Sequence, residues 1–234
     1  MSTVIAIDGP AGSGKSTLAK ALAHKLGYIY LDTGAMYRAL TYLALQDKLD
    51  LADEKALSKL AQANPVRFKA RGRELEVYIG NKEVTKEIRL PEVDKNVSEV
   101  SAHPRVREIM VAQQKAIGAE HDLVAEGRDM GTVVFPDATL KVFLSADAKT
   151  RAHRRYLQNK ERAQVAGSSP SQSEEEIYQA IIARDAYDSQ RESSPLKPAE
   201  DAVLLDSSYK SEDEVLNYLL KLLEIPEAGG INGR

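Results

Sequence analysis

The eight residues "GPAGSGKS", Gly9 to Ser16, constrain the fold of this chain more than any other stretch. They match the pattern G-x-x-x-x-G-K-[ST], they follow an apolar run and they precede a helical pattern, which is the context that this motif requires. Glycines let the backbone turn its N–H groups toward an anion, and the start of the following helix adds its positive dipole end. The stretch therefore predicts a phosphate-binding loop for a nucleoside triphosphate, with ATP as the expected ligand. The alternative, a chance glycine-rich turn, is disfavoured by this context.

Two side chains at the end of this loop have direct roles in the prediction. Lys15 can reach the β- and γ-phosphates, and the hydroxyl of Ser16 can bind Mg²⁺. A GTPase would also need the guanine-reading pattern N-K-x-D. "NKE" occurs at Asn81 and Asn159, but the fourth position is Val84 in one case and Arg162 in the other. A GTP-dependent switch is therefore not expected.

Short apolar runs alternate with helical patterns along most of the chain. Runs that are apolar or nearly so occupy residues 4–7, 28–31, 123–125, 140–144 and 202–205. Such strands are typical of a parallel sheet that is buried on both faces. Leu18, Ala19, Leu22 and Leu26 recur at helical spacing, and Gly27 stands where a helix stop is expected. Further helices are predicted at about 35–45, 105–117, 148–163, 174–190 and 211–223. The alternation predicts a doubly wound α/β fold.

One segment, at about 64–92, departs from this rhythm. Val66, Phe68 and Ala70 alternate with basic residues, and Leu75, Val77 and Ile79 then alternate with two glutamates and a tyrosine. "RGR" and "GN" supply turns, so the segment predicts a small antiparallel sheet with one face toward solvent. We interpret it as an insertion into the parallel fold. The polar stretch "AGSSPSQSEEE" is predicted to be a loop, and the last residues, 225–234, a disordered tail.

The composition limits the classes of protein to which the chain can belong. Its 234 residues fit one α/β unit with an insertion, or at most two small domains. It has no cysteine, its formal charge is −3, and its four histidines are scattered. No secretory leader and no membrane-length apolar run is evident, so the expected location is the cytoplasm, with no membrane partner. A general nucleic-acid binder would carry a basic excess, so nucleic acid is not an expected partner.

Three clusters of arginine are each ambiguous on local grounds. "LDTGAMYR" ends in Arg38, "RAHRR" holds Arg151, Arg154 and Arg155, and "ARDAYDSQR" places Arg184, Asp188 and Arg191 at helical spacing. Each cluster could instead be part of a helix cap or of a salt-bridged helix face that is exposed to solvent. However, a phosphoryl transferase must bring two polyanions together, and the planar fork of arginine suits phosphate oxygens. Together, the clusters favour that function.

The stretch "VAEGRDMGTVVFPDA" sets Glu126, Arg128 and Asp129 directly after an apolar strand. These three charges could cap the strand, pair with one another or hold a charged ligand. The phosphate loop makes a ligand more plausible than the other two, because a parallel strand beside that loop must end near the bound phosphates.

The chain resembles a known family, the bacterial cytidylate kinases, within the nucleoside monophosphate kinases. The segments that carry this resemblance are "IDGPAGSGKST", "LDTGAMYR", "HPRVRE", "EGRDMGTVVFPDA", "RAHRR", "ARDAYDSQR" and "PLKPAEDAVLLDSS", which span nearly the whole chain in order. The resemblance implies transfer of a phosphoryl group from ATP to CMP or dCMP, giving ADP and CDP or dCDP, with Mg²⁺. It also implies a P-loop NTPase fold with a five-stranded parallel sheet. The kinase core would cover 1–63 and 93–234 with a helical lid at about 151–170, and 64–92 would be the inserted monophosphate-binding part.

The resemblance also implies a role for individual residues. The ATP-binding residues would be Gly9, Pro10, Ala11, Gly12, Ser13, Gly14, Lys15, Ser16, Thr17, Arg154 and Arg155. The CMP-binding residues would be Thr33, Tyr37, Arg38, Ser98, Arg107, Gly127, Arg128, Asp129, Arg184, Asp188 and Arg191. Of these two sets, catalysis would depend most on Lys15, Arg128, Arg184 and Arg191. Ser16 would bind Mg²⁺, with Asp32 and Glu126 as candidates for an outer position around the ion.

Three other hypotheses stay open at this point. The acceptor could be UMP or another small phosphate, since the chemistry would be the same. The chain could be a nucleotide-binding regulator without catalysis, although such a protein would not need its acceptor-side arginines. An RNA-binding role is disfavoured by the acidic charge and by the lack of an aromatic RNA motif. The chain is expected to act as a monomer.

Overall fold

The computed structural model describes residues 2–71, 74–165 and 172–223. Three predictions fall wholly or partly on other residues. These are the centre of the "RGR" turn at 72–73, the part of the predicted lid and polar loop at 166–171, and the predicted disordered tail at 225–234. They lie outside the described residues.

The described residues form two sheets and a set of helices around them. The strands, numbered in chain order, are β1 Val4–Asp8, β2 Ile29–Asp32, β3 Val66–Arg71, β4 Glu74–Ile79, β5 Lys82–Glu83, β6 Leu123–Gly127, β7 Leu140–Ser145 and β8 Val203–Asp206. The α-helices are α1 Lys15–Leu26, α2 Thr33–Gln46, α3 Glu54–Ala63, α4 Pro91–Ala102, α5 Pro104–Glu120, α6 Ala148–Val165, α7 Glu174–Gln190 and α8 Glu212–Leu222. A 3₁₀ turn covers Glu87–Arg89, and a π-helical turn covers Met130–Val134. Helices α3 and α4 were not predicted from the sequence.

The larger sheet has five parallel strands in the order β2-β6-β1-β7-β8. This confirms the predicted doubly wound α/β fold with a five-stranded parallel sheet. Strand β6 lies between β1 and β2, with Glu126 level with both Ile7 and Asp32. The carboxyl ends of these three strands therefore meet at one edge, where ligands bind in open α/β sheets. The phosphate loop, the "EGRD" stretch and the "LDTG" stretch all begin there.

The two faces of this sheet pack against different helices because side chains alternate along each strand. Ile5 and Ile7 join a cluster with Leu22 of α1 and Leu219 of α8. Ala6 belongs instead to a larger cluster that is built mainly from α2, α3, α4 and α5. Burial on both faces explains why β1 and β6 are apolar at successive positions rather than at every second one.

Strand β8 departs from the predicted burial on both faces. The run "AVLL" was predicted to be a core strand, but Leu204 is 66% exposed. The reason is its position: β8 is the outer strand beside β7, and among the residues that the structure describes no helix covers Leu204. Apolar composition alone could not distinguish an outer strand from a central one.

The smaller sheet is antiparallel in the order β3-β4-β5, as predicted for the insertion, although β5 was not foreseen. Val66, Val77 and Ile79 are buried and pack into the same cluster as α2, whereas Arg67 and Lys69 are exposed. Glu76 is an exception on the polar face, since it is buried and accepts a hydrogen bond from the hydroxyl of Tyr78 at 2.9 Å. The division of the chain into 1–63 and 93–234 on one side and 64–92 on the other stays a prediction.

Candidate active site

A cleft of about 1110 Å³ opens at the carboxyl ends of β1, β2 and β6. All eleven residues that were predicted to contact the acceptor line this cleft, although they come from five separate stretches of the chain. Ala11, Gly12, Lys15 and Ser16 of the phosphate loop line it as well. The structure thus brings the predicted donor and acceptor residues to one place.

The phosphate loop has the backbone that its glycines permit. Gly9, Gly12 and Gly14 have φ angles of 147°, 78° and 92°, values that other residues rarely adopt. At Gly9 a side chain is also excluded by space, because an added Cβ would lie 2.0 Å from the carbonyl oxygen of Leu144 in β7. Helix α1 begins at Lys15, directly after Gly14, so its first N–H groups face the loop.

Lys15 is buried beneath this loop. Its side chain is 5% exposed, and Nζ donates a hydrogen bond to the carbonyl oxygen of Pro10 at 2.7 Å. Burial, with a further contribution from the positive charge of Arg128, lowers the pKa of Lys15 to about 7. A bound phosphate would offset both causes, since it brings negative charge to the ammonium group.

Glu126 connects the phosphate loop to the neighbouring strands. Its carboxylate accepts a hydrogen bond from the hydroxyl of Ser16 at 2.9 Å and another from the hydroxyl of Tyr30. Burial, and the nearby charge of Asp32, raise the pKa of this carboxyl group above its ordinary value. From the sequence, Glu126 was only a candidate for an outer position around the ion, and the contact with Tyr30 was not predicted. Together these contacts make Glu126 the carboxylate that orients the hydroxyl of Ser16.

Asp32 caps the start of helix α2, which was one of the two hypotheses for this stretch, and Thr33 is the first residue of that helix. Asp32 accepts a hydrogen bond from the amide of Ala35 at 2.8 Å and pairs with Arg89 at 2.9 Å. The hydroxyl of Thr33 donates to the backbone oxygen of Glu126 at 2.6 Å. Both residues also line the cleft, so capping and ligand binding are compatible here.

Arg107 and Asp129 form a buried ion pair on one wall of the cleft. The two side chains are each 5% exposed, and Arg107 also donates to the carbonyl oxygen of Ser101 at 3.1 Å. Its guanidinium lies 5.6 Å from the centre of the ring of Tyr37. Nε of Arg107 is buried and has no hydrogen-bond partner in the part of the chain that the structure describes. An unpaired buried donor beside a carboxylate is rare in proteins and is suited to a polar ligand.

Arg128, Arg184 and Asp188 form a second charged group that lines the cleft. Nε of Arg128 donates to Asp188 at 2.9 Å, and Nε of Arg184 lies 3.9 Å from the same carboxylate oxygen. Burial and the charges of Arg128 and Arg38 lower the pKa of Arg184 to about 10. Two arginines thus share one carboxylate, and this leaves positive charge that an anionic ligand can neutralise.

Arg191 differs from its predicted setting. It was expected to share one face of a helix with Arg184 and Asp188, but α7 ends at Gln190 and Arg191 follows it with an extended backbone. The reason is a local hydrogen bond, in which Nε of Arg191 donates to the carbonyl oxygen of Ser194 at 2.6 Å. The residue still lines the cleft, and its buried Nη2 atom has no partner among the described residues.

Asp94 is a cleft residue that was not foreseen from the sequence. Its carboxylate pairs with Arg38 of α2 and with Arg155 of α6, the latter at 2.8 Å. Attraction to Arg38, and then to Arg155, outweighs burial and lowers the pKa of Asp94. The contact links α4 to Arg38, which was predicted to bind CMP, and to Arg155, which was predicted to bind ATP. No local signal in "LPEVDKN" points to such a role.

Arg151 is a second residue whose role was not predicted from the sequence. We expected the "RAHRR" arginines to be a solvated face or lid residues, but Arg151 is 5% exposed. Its guanidinium donates to the carbonyl oxygen of Ala11 at 3.0 Å, to that of Ala146 at 2.8 Å and to Asp185 at 2.6 Å. Arg151 therefore joins the phosphate loop to both α6 and α7.

Arg154 lines a second cavity, of about 440 Å³, beside the phosphate loop. It donates to the hydroxyl and the carbonyl oxygen of Ser207, at 3.1 and 2.6 Å. The hydroxyl of Ser207 in turn donates to the carbonyl oxygen of Ser13 at 3.0 Å. Arg155 and residues 12–17 of the loop line this cavity too, so the loop separates two spaces that could each hold part of a ligand.

Two properties of the described residues bear on other functions. Among residues 2–71, 74–165 and 172–223, no three His, Cys, Asp or Glu side chains are grouped so that they could hold a metal ion. None of the helices in the described part of the chain is both long and apolar enough to cross a membrane.

The chain is similar in sequence to known proteins over nearly its whole length. The family profile described as cytidylate kinase matches residues 5–225. The cytidylate kinase of Lactobacillus johnsonii is 45% identical over 220 residues, which cover 94% of this chain and 93% of that protein. The cytidylate kinase of Streptococcus mutans serotype c is 48% identical over 219 residues, covering 93% and 94%. That of Listeria monocytogenes serotype 4a is 44% identical over 221 residues, covering 94% and 96%.

Proposed function

Because the chain belongs to the cytidylate kinase family, we propose that its cleft binds CMP or dCMP beside an ATP held on the phosphate loop. The protein is an ATP-dependent kinase, and its reaction is the conversion of ATP and CMP, or dCMP, to ADP and CDP, or dCDP. The proposal concerns which residues hold each substrate and what each one contributes.

The observation that carries the proposal is the concentration of positive charge in one cleft. The formal charge of the whole chain is −3, yet Lys15 lines the cleft together with seven arginines. Those arginines are Arg38, Arg89, Arg107, Arg128, Arg155, Arg184 and Arg191. Two substrates that each carry phosphate groups would otherwise repel one another, and positive side chains around both make their approach favourable.

The transfer itself needs little proton chemistry from the protein. An oxygen of the acceptor phosphate forms a bond to the γ-phosphorus while the bond from that phosphorus to the β–γ bridging oxygen breaks. The acceptor is already an anion near neutral pH, so no side chain has to remove a proton. Lys15, Arg128 and Arg184 would instead stabilise the charge that develops on the transferred group and on the leaving ADP.

The Arg107–Asp129 pair is proposed to recognise the cytosine base. Cytosine presents an amino donor beside the N3 acceptor, and the carboxylate of Asp129 can accept from that amino group. Arg107 retains an unpaired Nε donor, which can serve N3 or O2. Uracil presents a carbonyl where cytosine has its amino group, so binding of UMP would leave Asp129 facing an acceptor. Such a mismatch costs about 1–3 kcal/mol.

The rest of the acceptor would lie along the predicted set of residues. Its phosphate would contact Thr33, Arg38 and Arg191, and the ribose would contact Arg184 and Asp188. The ribose contacts are supported by the position of Asp188, which is 3% exposed and already accepts from Arg128. Since Asp94 also pairs with Arg38, the acceptor phosphate would compete with that carboxylate for the guanidinium.

The phosphates of ATP are proposed to lie on residues 9–17, and its nucleoside to lie in the smaller cavity beside Arg154. The lining of that cavity supports this arrangement, because it shares Gly12, Lys15 and Ser16 of the phosphate loop with the acceptor cleft. The γ-phosphate would then point toward the acceptor. Arg155 lines both spaces, as expected for a lid residue that contacts both substrates.

A divalent ion, Mg²⁺ in the prediction, fits the oxygen atoms at the start of α1. The hydroxyl of Ser16 would bind it together with phosphate oxygens, and Glu126 would lie behind Ser16 at 2.9 Å. When bound, the ion would neutralise phosphate charge. The residues present are oxygen donors, which this ion prefers, so they fit it.

Three further expectations stay proposals. The lid at about 151–170 and the insertion at 64–92 would close over the substrates, because water must be kept from the γ-phosphate. The protein would work as a monomer, since donor and acceptor residues come from one chain. It would act in the cytoplasm, where ATP and CMP are available to it.

A panel of monophosphates tests the proposed function directly. Release of ADP from ATP would be measured with CMP, dCMP, UMP and AMP in parallel, at equal concentrations of the acceptor. We expect CMP and dCMP to be converted fastest. Faster conversion of UMP or AMP would show that the base contacts are assigned wrongly, and tight ATP binding without transfer to any acceptor would revive the regulator hypothesis.

A further inference from the structure

Asp8 is a buried carboxylate behind the wall of the cleft, and it has no role in the substrate binding or phosphoryl transfer proposed above. It is the last residue of β1, directly before Gly9, and its side chain is 4% exposed. One carboxylate oxygen accepts a hydrogen bond from the amide of Met130 and the other from the amide of Gly131, both at 2.8 Å. Both oxygens of Asp8 are therefore bonded to the backbone of one segment, 122 and 123 residues further along the chain.

That segment is the start of the π-helical turn Met130–Val134, and it follows Arg128 and Asp129 without a break. The first N–H groups of a helical turn have no partner within the turn, so an outside acceptor decides where the turn begins. Asp129 has φ −146° and ψ 25°, and its carbonyl oxygen accepts from the amides of Val133 and Val134 at 2.9 and 3.2 Å. Asp8 thus fixes the backbone immediately after the proposed base-reading residue.

The turn has little room to adjust around this contact. A Cβ added at Gly127 would lie 2.7 Å both from the hydroxyl oxygen of Thr33 and from Cε of Met130. Met130 is 1% exposed, so its side chain is held as well. In close-packed surroundings a shift of one group moves its neighbours, and a small displacement can change substrate contacts strongly.

We propose that Asp8 is a positioning residue for the acceptor: its two hydrogen bonds hold Arg128 and Asp129 at a fixed distance from the phosphate loop. The inference rests on the acceptor site proposed above. It assigns Asp8 no contact with either substrate, so Asp8 acts only through the turn. Asp8, the last residue of β1, thereby sets the geometry of acceptor recognition although β1 leads into the loop proposed to hold ATP.

Replacement of Asp8 by asparagine keeps one of the two carboxylate oxygens and substitutes an NH₂ group for the other. The amide of Asp8→Asn keeps one acceptor oxygen but presents N–H donors to the second backbone N–H, which leaves that bond unmade. Burial raises the pKa of Asp8 to about 6. Burial thus disfavours the charge of Asp8, which lowers the cost of a neutral side chain of the same size, and the variant is expected to fold.

The test measures kcat, the KM for CMP, the KM for ATP and the thermal midpoint of unfolding for Asp8→Asn. We expect the KM for CMP to rise about tenfold and the preference for CMP over UMP to fall several-fold, with the KM for ATP within about twofold of wild type. Asp53→Asn is the matched control, since Asp53 accepts from the amide of Ala56 at 3.0 Å at the start of α3, away from the cleft. It should leave all of these kinetic quantities unchanged.

Unchanged KM values and base preference in Asp8→Asn, with only a lower kcat or midpoint, would overturn the proposal and leave Asp8 a stabilising residue. An equal rise in both KM values would also overturn it, because Asp8 would then act on the phosphate loop. If Asp8→Asn does not fold, Asp8→Ser, whose hydroxyl can still accept one N–H, gives the same comparison. An Asp129→Asn arm keeps the two proposals apart. If that variant keeps the preference for CMP, the acceptor site is assigned wrongly, whatever Asp8 does.

Discussion

Ser16 and Glu126 are 110 positions apart in the sequence, yet the hydroxyl of Ser16 donates to the carboxylate of Glu126 at 2.9 Å. The contact exists because β6 lies beside β1 in the parallel sheet, which places the end of β6 next to the start of α1. It explains why a buried strand carries a carboxylate at its end. Glu126 orients the one hydroxyl that is expected to meet both the metal ion and the phosphates.

Replacement of Glu126 by glutamine should lower kcat by about 10- to 100-fold, as expected for losing a hydrogen bond to a charged group. The fold should persist, since burial already disfavours the charge of this carboxylate. Steady-state kinetics at saturating ATP and CMP check this. Tyr30→Phe is the control, because it removes only the second hydrogen bond to Glu126 and should reduce kcat by less than Glu126→Gln does. A kcat near the wild-type value in Glu126→Gln would contradict the role of Glu126.

Stability should depend on pH through Lys15. The pKa of Lys15 is about 7 in the folded protein and 10.5 for an ordinary lysine. Between those values the unfolded chain binds more protons at this position than the folded one, so the free energy of unfolding rises with pH. Replacement by methionine removes this dependence. From pH 7 to pH 9 the wild-type protein should gain about 2 kcal/mol relative to Lys15→Met.

Urea unfolding of both proteins at the two pH values measures this difference. Lys25→Met is the control, since Lys25 is an exposed lysine of the same helix. It should follow the wild-type pH dependence. Parallel curves for wild type and Lys15→Met would show that the pKa of Lys15 is not lowered in the folded state.

The Arg151–Asp185 pair should stabilise the contact between the phosphate loop and helix α7. Arg151 is 5% exposed, but the side chain of Asp185 is 24% exposed, so solvent weakens their attraction. Arg151→Met should lower the free energy of unfolding by about 2 kcal/mol, and it should raise the KM for ATP because the carbonyl of Ala11 loses its donor. A double-mutant cycle with Asp185→Asn should give a coupling energy of about 1 kcal/mol. Strictly additive effects would contradict a direct interaction.

Much of the fold and of the site could be predicted because the relevant signals are local. The phosphate loop is contiguous, and the glycines that it needs are visible in "GPAGSGKS". The apolar runs of β1 and β6 report burial on both faces, and the residues that follow each strand must gather at one edge of a parallel sheet. For that reason the residues that follow β1, β2 and β6 line one cleft, whereas the acceptor residues on α4, α5 and α7 were implied only by the family resemblance.

The parts that could not be predicted depend on contacts between distant segments. Arg151 looks like any exposed arginine of a helix until the phosphate loop is placed against it, 140 positions away. Asp8 meets its partners 122 and 123 positions away, and Asp94 joins arginines of two other helices. The bounds of α7 were predicted correctly, but Arg191 was wrongly expected to share its face, because Arg191 follows the helix and bonds locally to Ser194. Pattern alone does not reveal such partners.

The base preference of Asp129→Asn is the most direct test of the proposed recognition of cytosine by Asp129. The measured quantity is the ratio of kcat/KM for CMP to kcat/KM for UMP, compared with the same ratio in the wild-type protein. Asparagine can still accept from cytosine but can also donate to the carbonyl of uracil, so the ratio should fall about 10- to 100-fold, with the KM for ATP unchanged. A ratio equal to that of the wild type would contradict recognition of the base by Asp129.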